Sequence, residues 1–183
     1  MYVKSHQKLL NCNLDSIKHA IYECARLGLK PNDEDVYLLP LKGNCEVLVG
    51  YHGYVKMFFR NPKVKNIYSF CVREDDEFDM SLGTDIYIKH KVSTSSKISP
   101  IKMSYAVLKL DNGEYQVKYA HLEEIEVSKQ MSKTSHLPDS PWNKFYEQMA
   151  QIVSVRKMGK MLGMKLPEVH TSDNIDSCIT VLP

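Results

Sequence analysis

The tripeptide Asp111-Asn112-Gly113 constrains the fold of this chain more than any other feature, because it stands between two runs of strand-forming residues, Ile101 to Leu110 and Glu114 to Tyr119. Asn-Gly supplies the two positive-φ residues that a tight hairpin turn wants, so the flanking runs are predicted to pair antiparallel. A weaker version occurs earlier, where Val36 to Leu41 and Cys45 to Val49 are separated by Lys42-Gly43-Asn44, read as a three-residue loop with Gly in the middle. Val64 to Val72 alternates and is rich in β-formers. Asp85 to Val92 sets Ile86, Ile88 and His90 on one face against Tyr87, Lys89 and Lys91 on the other, which is the period of a strand. Ser93 to Ser99 is polar and reads as a loop.

Helical periods bracket these strands. From Leu14 to Leu27 the residues Leu14, Ile17, Ala20, Ile21, Cys24 and Ala25 recur at steps of three and four. Asn13 caps the start, Gly28 supplies the positive φ of a helix end, Leu29 folds back on the last turn and Pro31 forbids continuation. Gly50-Tyr51-His52-Gly53-Tyr54 leads into a short helical stretch, Val55 to Arg60, with Tyr51, Val55, Phe58 and Phe59 on one face and Asn61-Pro62 as its stop. His121 to Gln130 reads as helix and Met131 to Ser140 as loop. Pro141 and Trp142 open a long helix to about Leu162, closed by Gly163 and Pro167. The order predicts an α+β domain with a mainly antiparallel sheet, flanked by an N-terminal helix, a short helix and a long basic C-terminal helix. Residues 1–167 are expected to form this core and 168–183 a short tail.

Composition enters by exclusion. A chain of 183 residues, 43% hydrophobic and 25% charged, suits one globular domain that holds its core without disulfides or a structural metal. No apolar run approaches the ~20 residues of a spanning helix and the first residues lack a secretory signal, so a cytoplasmic location is expected. The five cysteines, at 12, 24, 45, 71 and 178, show no zinc or disulfide spacing; Cys24 and Cys45 fall on predicted core faces. His121 precedes Glu123, Glu124 and Glu126, a pattern of helix starts more than of ligand sets. The chain has no Gly-rich phosphate loop, no Gly-x-Ser-x-Gly and no His-Glu-x-x-His.

A formal net charge of +2 conceals blocks of opposite sign. Gly53 to Val72 carries Lys56, Arg60, Lys63 and Lys65 with no acid, and Ile86 to Lys109 carries Lys89, Lys91, Lys97, Lys102 and Lys109 with none. Lys129, Lys133, Lys144, Arg156, Lys157, Lys160 and Lys165 face only Asp139 and Glu147 over 129–165, whereas Glu74, Asp75, Asp76, Glu77 and Asp79 crowd one short segment. On the long helix, Trp142, Phe145, Tyr146, Met149, Ile152 and Val153 form a line that continues onto Arg156 and Lys160, with Lys157 beside it. Two readings stand. Cations that extend an apolar stripe line the mouth of a groove and want an anion. Alternatively they answer the helix macrodipole, with Val155, Met158 and Leu162 as a shifted core line. Tyr51, His52 and Tyr54 likewise serve either as core or as a platform for bases, and the strand lysines either guard a sheet edge or meet nucleic acid.

Five blocks, in order, carry a resemblance: Cys24-Ala25-Arg26-Leu27-Gly28-Leu29-Lys30-Pro31, Tyr37-Leu38-Leu39-Pro40, Val49-Gly50-Tyr51-His52-Gly53-Tyr54-Val55, Val72-Arg73-Glu74-Asp75-Asp76-Glu77-Phe78, and Pro141-Trp142 with Glu147-Gln148-Met149-Ala150 and Arg156-Lys157-Met158-Gly159-Lys160. Together they cover residues 9–167 and resemble the RecT family of phage and prophage single-strand annealing proteins. The resemblance implies an ATP-independent protein of homologous recombination with no catalytic centre. Such a protein holds single-stranded DNA in a basic groove across a ring or helical filament of identical copies and pairs it with a complementary strand through an annealed duplex intermediate. It implies no cofactor, with Mg²⁺ only as a counter-ion, and as partners a phage 5′ to 3′ exonuclease or a single-strand binding protein.

Carried over by motif, Arg156 and Lys157 match the family's basic pair and Lys160 follows one turn later. Lys144, Lys42, Lys56 and Arg60 form a second tier of DNA contacts; Tyr51 joins them, although with Gly50 and Gly53 it also reads as a structural elbow. Where the family often carries cations after Met149-Ala150, this chain has Gln151, Ile152 and Val153, which implies weaker DNA binding or different contacts between copies. The family's longer N-terminal segment and C-terminal partner-binding region are expected to be short or absent, which weakens the expectation of partner recruitment. Two rivals are a metal-dependent nuclease built on Asp75, Asp76, Glu77 and Asp79, and a remnant that folds but assembles poorly. The acids otherwise read as a polar strand end or an inter-subunit charge pair.

Overall fold

A computed structural model describes residues 6–32, 34–132 and 134–164; the readings placed on Lys133, Lys165, Pro167 and the tail 168–183 lie outside the described residues. After a 3-10 turn, Gln7–Asn11, the elements are α1 (Leu14–Leu27), β1 (Val36–Leu41), β2 (Asn44–Val49), α2 (Tyr51–Phe59), β3 (Val64–Arg73), β4 (Glu77–Ser81), β5 (Tyr87–Lys91), β6 (Ile101–Leu110), β7 (Tyr115–His121), α3 (Leu122–Gln130), α4 (Pro141–Lys144) and α5 (Tyr146–Met161). Strands pair as β1–β2, β3–β6–β7 and β4–β5, every pair antiparallel, so the α+β architecture is the one the alternating periods predict. Among the described residues no helix is long and apolar enough to cross a membrane.

α1 is built as its sequence dictates. The Asn13 side chain accepts the Asp15 N–H at 2.8 Å, Gly28 stands at φ 60°, and the Leu29 N–H returns to the Cys24 carbonyl at 2.9 Å. Its buried stripe is narrower than the pattern suggests: Ile17, Ala20, Cys24 and Leu27 are inside, while Leu14 and Ile21 are 64% and 50% exposed. Cys24 and Cys45 are buried, and burial pushes the Cys45 thiol up to about 11.

The two hairpins exchange the geometries expected of them. Lys42 (φ 47°) and Gly43 (φ 79°) form a two-residue turn with both central residues at positive φ, and Asn44 already pairs with Leu41 in the ladder. At the second turn only Gly113 (φ 88°) has positive φ, with Leu110 and Glu114 closing a three-residue loop. Asn112 is not in the left-handed region because the longer loop needs just one such residue, at its end.

Three further readings are corrected. α2 begins at Tyr51, four residues early, and Phe59 is 49% exposed while Phe58 is fully buried. The acidic block contains a strand, β4, whose alternation puts Phe78 and Met80 under the sheet and leaves Glu77 and Asp79 opposite Lys91 and Lys89. The long C-terminal helix is interrupted at Phe145, whose φ −136° and ψ 48° separate α4 from α5. Phe145 is 56% exposed, and the core line of α5 runs through Ala150, Ser154, Val155 and Met158.

α5 closes one face of the β3–β6–β7 sheet. Ser104 Oγ donates to the Ala150 carbonyl at 2.8 Å, and Ile67, Ala106 and Leu108 pack with Val155, Met158 and α2's Phe58. Trp142 joins Cys71, Ile101, Ala120 and Ile125 in an adjoining cluster. On the opposite face Val72, Met103, Tyr105 and Val107 lie beneath Phe78, Met80 and Ile88 of the β4–β5 hairpin.

Candidate nucleic-acid interface

Cations on α5 flank the core line and do not extend it, because Val155 and Met158 point inward and leave Arg156 and Lys157 half-buried at its sides. Lys157 reaches α3: its Nζ is 2.5 Å from Glu124 Oε1 and 5.7 Å from the Tyr119 ring centroid. Glu124 also accepts the His121 N–H at 3.0 Å, which fixes it at the first turn of α3. Arg156 differs. Among the described residues its Nε, shut off from solvent, has no hydrogen-bond partner, and it makes no ion pair. It lies close enough to α2 that its charge partly offsets the burial that pushes the Tyr54 hydroxyl up. Lys160 follows on the exposed last turn.

The second tier is largely occupied within the chain. Lys56 Nζ sits 2.6 Å from the carboxylate of buried Asp35. Arg60 donates to the carbonyls of Leu27 and Gly28, so its guanidinium closes the C-terminus of α1. Lys144 pairs with Asp139 at 2.6 Å and holds that carboxyl below its ordinary range. Lys42 occupies the exposed tip of the β1–β2 hairpin. Tyr51 opens α2, half-buried against the main core and edge-on to His52 at 6.0 Å. The flanking glycines have a steric reason: a Cβ on Gly50 would lie 2.4 Å from the Glu34 carbonyl oxygen, and one on Gly53 2.3 Å from that of Asp35. The fold therefore brings α2 and α5 together, while Lys144 lies on α4, across the break at Phe145.

Four of the five acids of the 74–79 segment are engaged separately. Asp76 is buried and accepts the Arg73 N–H (2.7 Å), the Ser93 N–H (2.8 Å) and His90 Nε2 (3.0 Å). His90 Nδ1 lies 3.0 Å from the Tyr105 hydroxyl. Asp75 takes the Ser99 hydroxyl, Asp79 that of Tyr87 at 2.9 Å, and Glu77 pairs with Lys91 at 2.8 Å. Among the described residues no three His, Cys, Asp or Glu side chains converge to hold a metal ion.

One surface escapes sequence reasoning. Register places Tyr68, Phe70, Tyr115 and Lys109 on the sheet face opposite α5, and the three rings remain 36%, 45% and 44% exposed. The Tyr115 hydroxyl, and more weakly Tyr68, hold the Lys109 ammonium above its ordinary value. The alternation of Tyr68 and Phe70 is visible in the sequence, but Tyr115 joins them only once the strands are aligned.

Comparison with known proteins adds a lineage to this geometry. The chain is 28% identical over 176 residues to Protein RecT of Escherichia coli (strain K12), an alignment that takes in 91% of this chain and 64% of that relative. The chain thus spans less than two thirds of the length of the curated relative it matches. The family model described as RecT family matches residues 2–179, which include every element from the 3-10 turn to α5, and the chain belongs to the RecT family.

Proposed function

We propose that this protein binds single-stranded DNA and anneals complementary strands in homologous recombination, without ATP, as an oligomer whose copies align a basic groove. Family membership supports the class, and Arg156 is the observation that carries the site. Arg156 is a permanent cation, half-buried and without an ion pair among the described residues, and a phosphate at its accessible side supplies the missing counter-charge. Lys160 lies one turn further along the same helix on its exposed side. Lys157 and Lys56 pair with Glu124 and Asp35 and serve to brace α5 and α2. Neutralising phosphates reads no sequence and leaves the base edges to a second strand, so Watson–Crick pairing provides the specificity. Mg²⁺ acts only as a counter-ion. The partner such an activity calls for is a 5′ to 3′ exonuclease that supplies single strand.

Annealing of labelled complementary oligonucleotides, with no nucleotide present, tests this reading. The wild type accelerates annealing, and binding to single strands weakens steeply with salt. Arg156→Ala combined with Lys160→Ala abolishes both effects while the far-ultraviolet circular dichroism is unchanged. Wild-type annealing by that folded variant would overturn the site, and cleavage of the labelled DNA in Mg²⁺ or Mn²⁺ would overturn the function. Light scattering before and after adding DNA measures assembly.

A further inference from the structure

We infer that the open face of the β3–β6–β7 sheet is a stacking platform for the bases of single-stranded DNA, formed by Tyr68, Phe70 and Tyr115 with Lys109 between strands. The inference deepens the proposed DNA-binding reading and rests on it. Three observations carry it.

Exposure on this sheet is confined to one area. One face packs against α5 and α2, and the β4–β5 hairpin roofs the other over Val72, Met103, Tyr105 and Val107. At the margin of that roof Tyr68 and Phe70 lie on the edge strand with ring centroids 5.8 Å apart, Phe70 edge-on to His90 of β5 at 6.3 Å yet still 45% exposed, and Lys109 Nζ stands 5.2 Å from the Tyr115 centroid. Rings at alternate positions of one strand stand on one face, about 7 Å apart along it.

The second observation is charge. β3, β6 and β7 contain Lys65, Arg73, Lys102, Lys109 and Lys118 and not one Asp or Glu; Lys109 stands on the open face, while Lys118, opposite Ala106, stands on the α5 face. Arg73 is bound to Glu147, but Lys65, Lys102 and Lys118 make no ion pair among the described residues. The acids adjoining these strands in sequence are Glu74, after β3, and Asp111 and Glu114 in the β6–β7 turn, where the Asp111 carboxylate accepts the Asn112 N–H. An acid-free sheet attracts a polyanion. The same charge opposes a second copy docked face to face, since that pairing sets like charges against each other.

The third is chemical fit. Aromatic rings hold bases through their faces whatever the sequence, at about 1–3 kcal/mol per base, and leave hydrogen-bonding edges to a complementary strand. A platform of this kind complements phosphate contacts, which hold the backbone and do not touch the bases.

The full chain is titrated with oligothymidylate and with an abasic strand of equal length. The wild type prefers the strand with bases, and Tyr68→Leu with Phe70→Leu, or Tyr115→Leu, reduces that preference by roughly 5- to 150-fold per ring while affinity for the abasic strand and the salt slope stay unchanged. Leu preserves apolar bulk without a π-face, and Tyr68→Phe with Tyr115→Phe retains wild-type binding. Preference for bases undiminished in the Leu variants overturns the platform, as does equal wild-type binding of both strands. A change in sedimentation of the Leu variants without DNA assigns the face to a second copy and also overturns it. Failure of the wild type to bind either strand overturns the underlying DNA-binding reading itself.

Discussion

A buried carboxylate needs several donors to stay ionised, and Asp76 has them. Desolvation pushes its pKa up, but the Ser93 and Arg73 N–H groups and His90 together outweigh it and hold the group at about 2, against 3.8 for an ordinary Asp. A folded-state pKa below the unfolded one stabilises the protein at higher pH, so Asp76 contributes about 2 kcal/mol above pH 3.8 that is lost as pH falls toward about 2. Urea denaturation across that interval shows the loss in the wild type. Asp76→Asn is less stable at neutral pH and has a flatter profile over the same window; an unchanged profile would show that the charge does not matter. In sequence, Asp76 is indistinguishable from Asp75, because nothing in the spacing marks which of two adjacent acids points inward to meet His90 and Ser93. Lys157 was equally opaque: its spacing on the helix is visible, but Glu124, 33 residues away, consumes its charge.

Local rules are most successful at the caps of the N-terminal and C-terminal helices. Asn13 and Gly28 delimit α1, and Gly163 (φ 64°) ends the C-terminal helix, because caps depend on the dihedral and hydrogen-bonding habits of single residues. They failed where packing decides. β4 was hidden beneath its acids, and α4 and α5 share one continuous helical pattern that the fold divides at Phe145. The Gly50–Gly53 elbow separates dihedral need from close approach. Neither glycine has positive φ, yet a Cβ on Gly53 would also meet Val49 Cγ1 at 2.8 Å. Gly53→Ala therefore destabilises by about 3 kcal/mol or more through overpacking against backbone. Gly43→Ala meets no neighbour and costs about 1 kcal/mol through its positive φ alone. Chemical denaturation of both variants checks the ranking, and equal losses would refute the steric account.

For the whole molecule, the net charge of +2 is a poor guide, since many cations are neutralised in place and others are gathered on an acid-free sheet. Phosphate contacts and base contacts separate in their salt dependence. The slope of log K against log salt falls by about 0.7 per phosphate on a single strand, so Arg156→Ala and Lys160→Ala each flatten it by roughly that amount. Affinities at a series of salt concentrations measure it; variants of unchanged slope would remove those residues from the phosphate contacts. By itself the sequence determined the antiparallel α+β order, the hairpins, most helix ends and the family blocks, all of which rest on φ preferences, periodicity and motif order along a short stretch of chain. Only the tertiary structure decided which cations remain available, which acids are buried and which aromatic face stays open. Those outcomes depend on pairings such as Arg73 with Glu147, 74 residues apart, and on strand register, and neither proximity nor burial is written in local spacing.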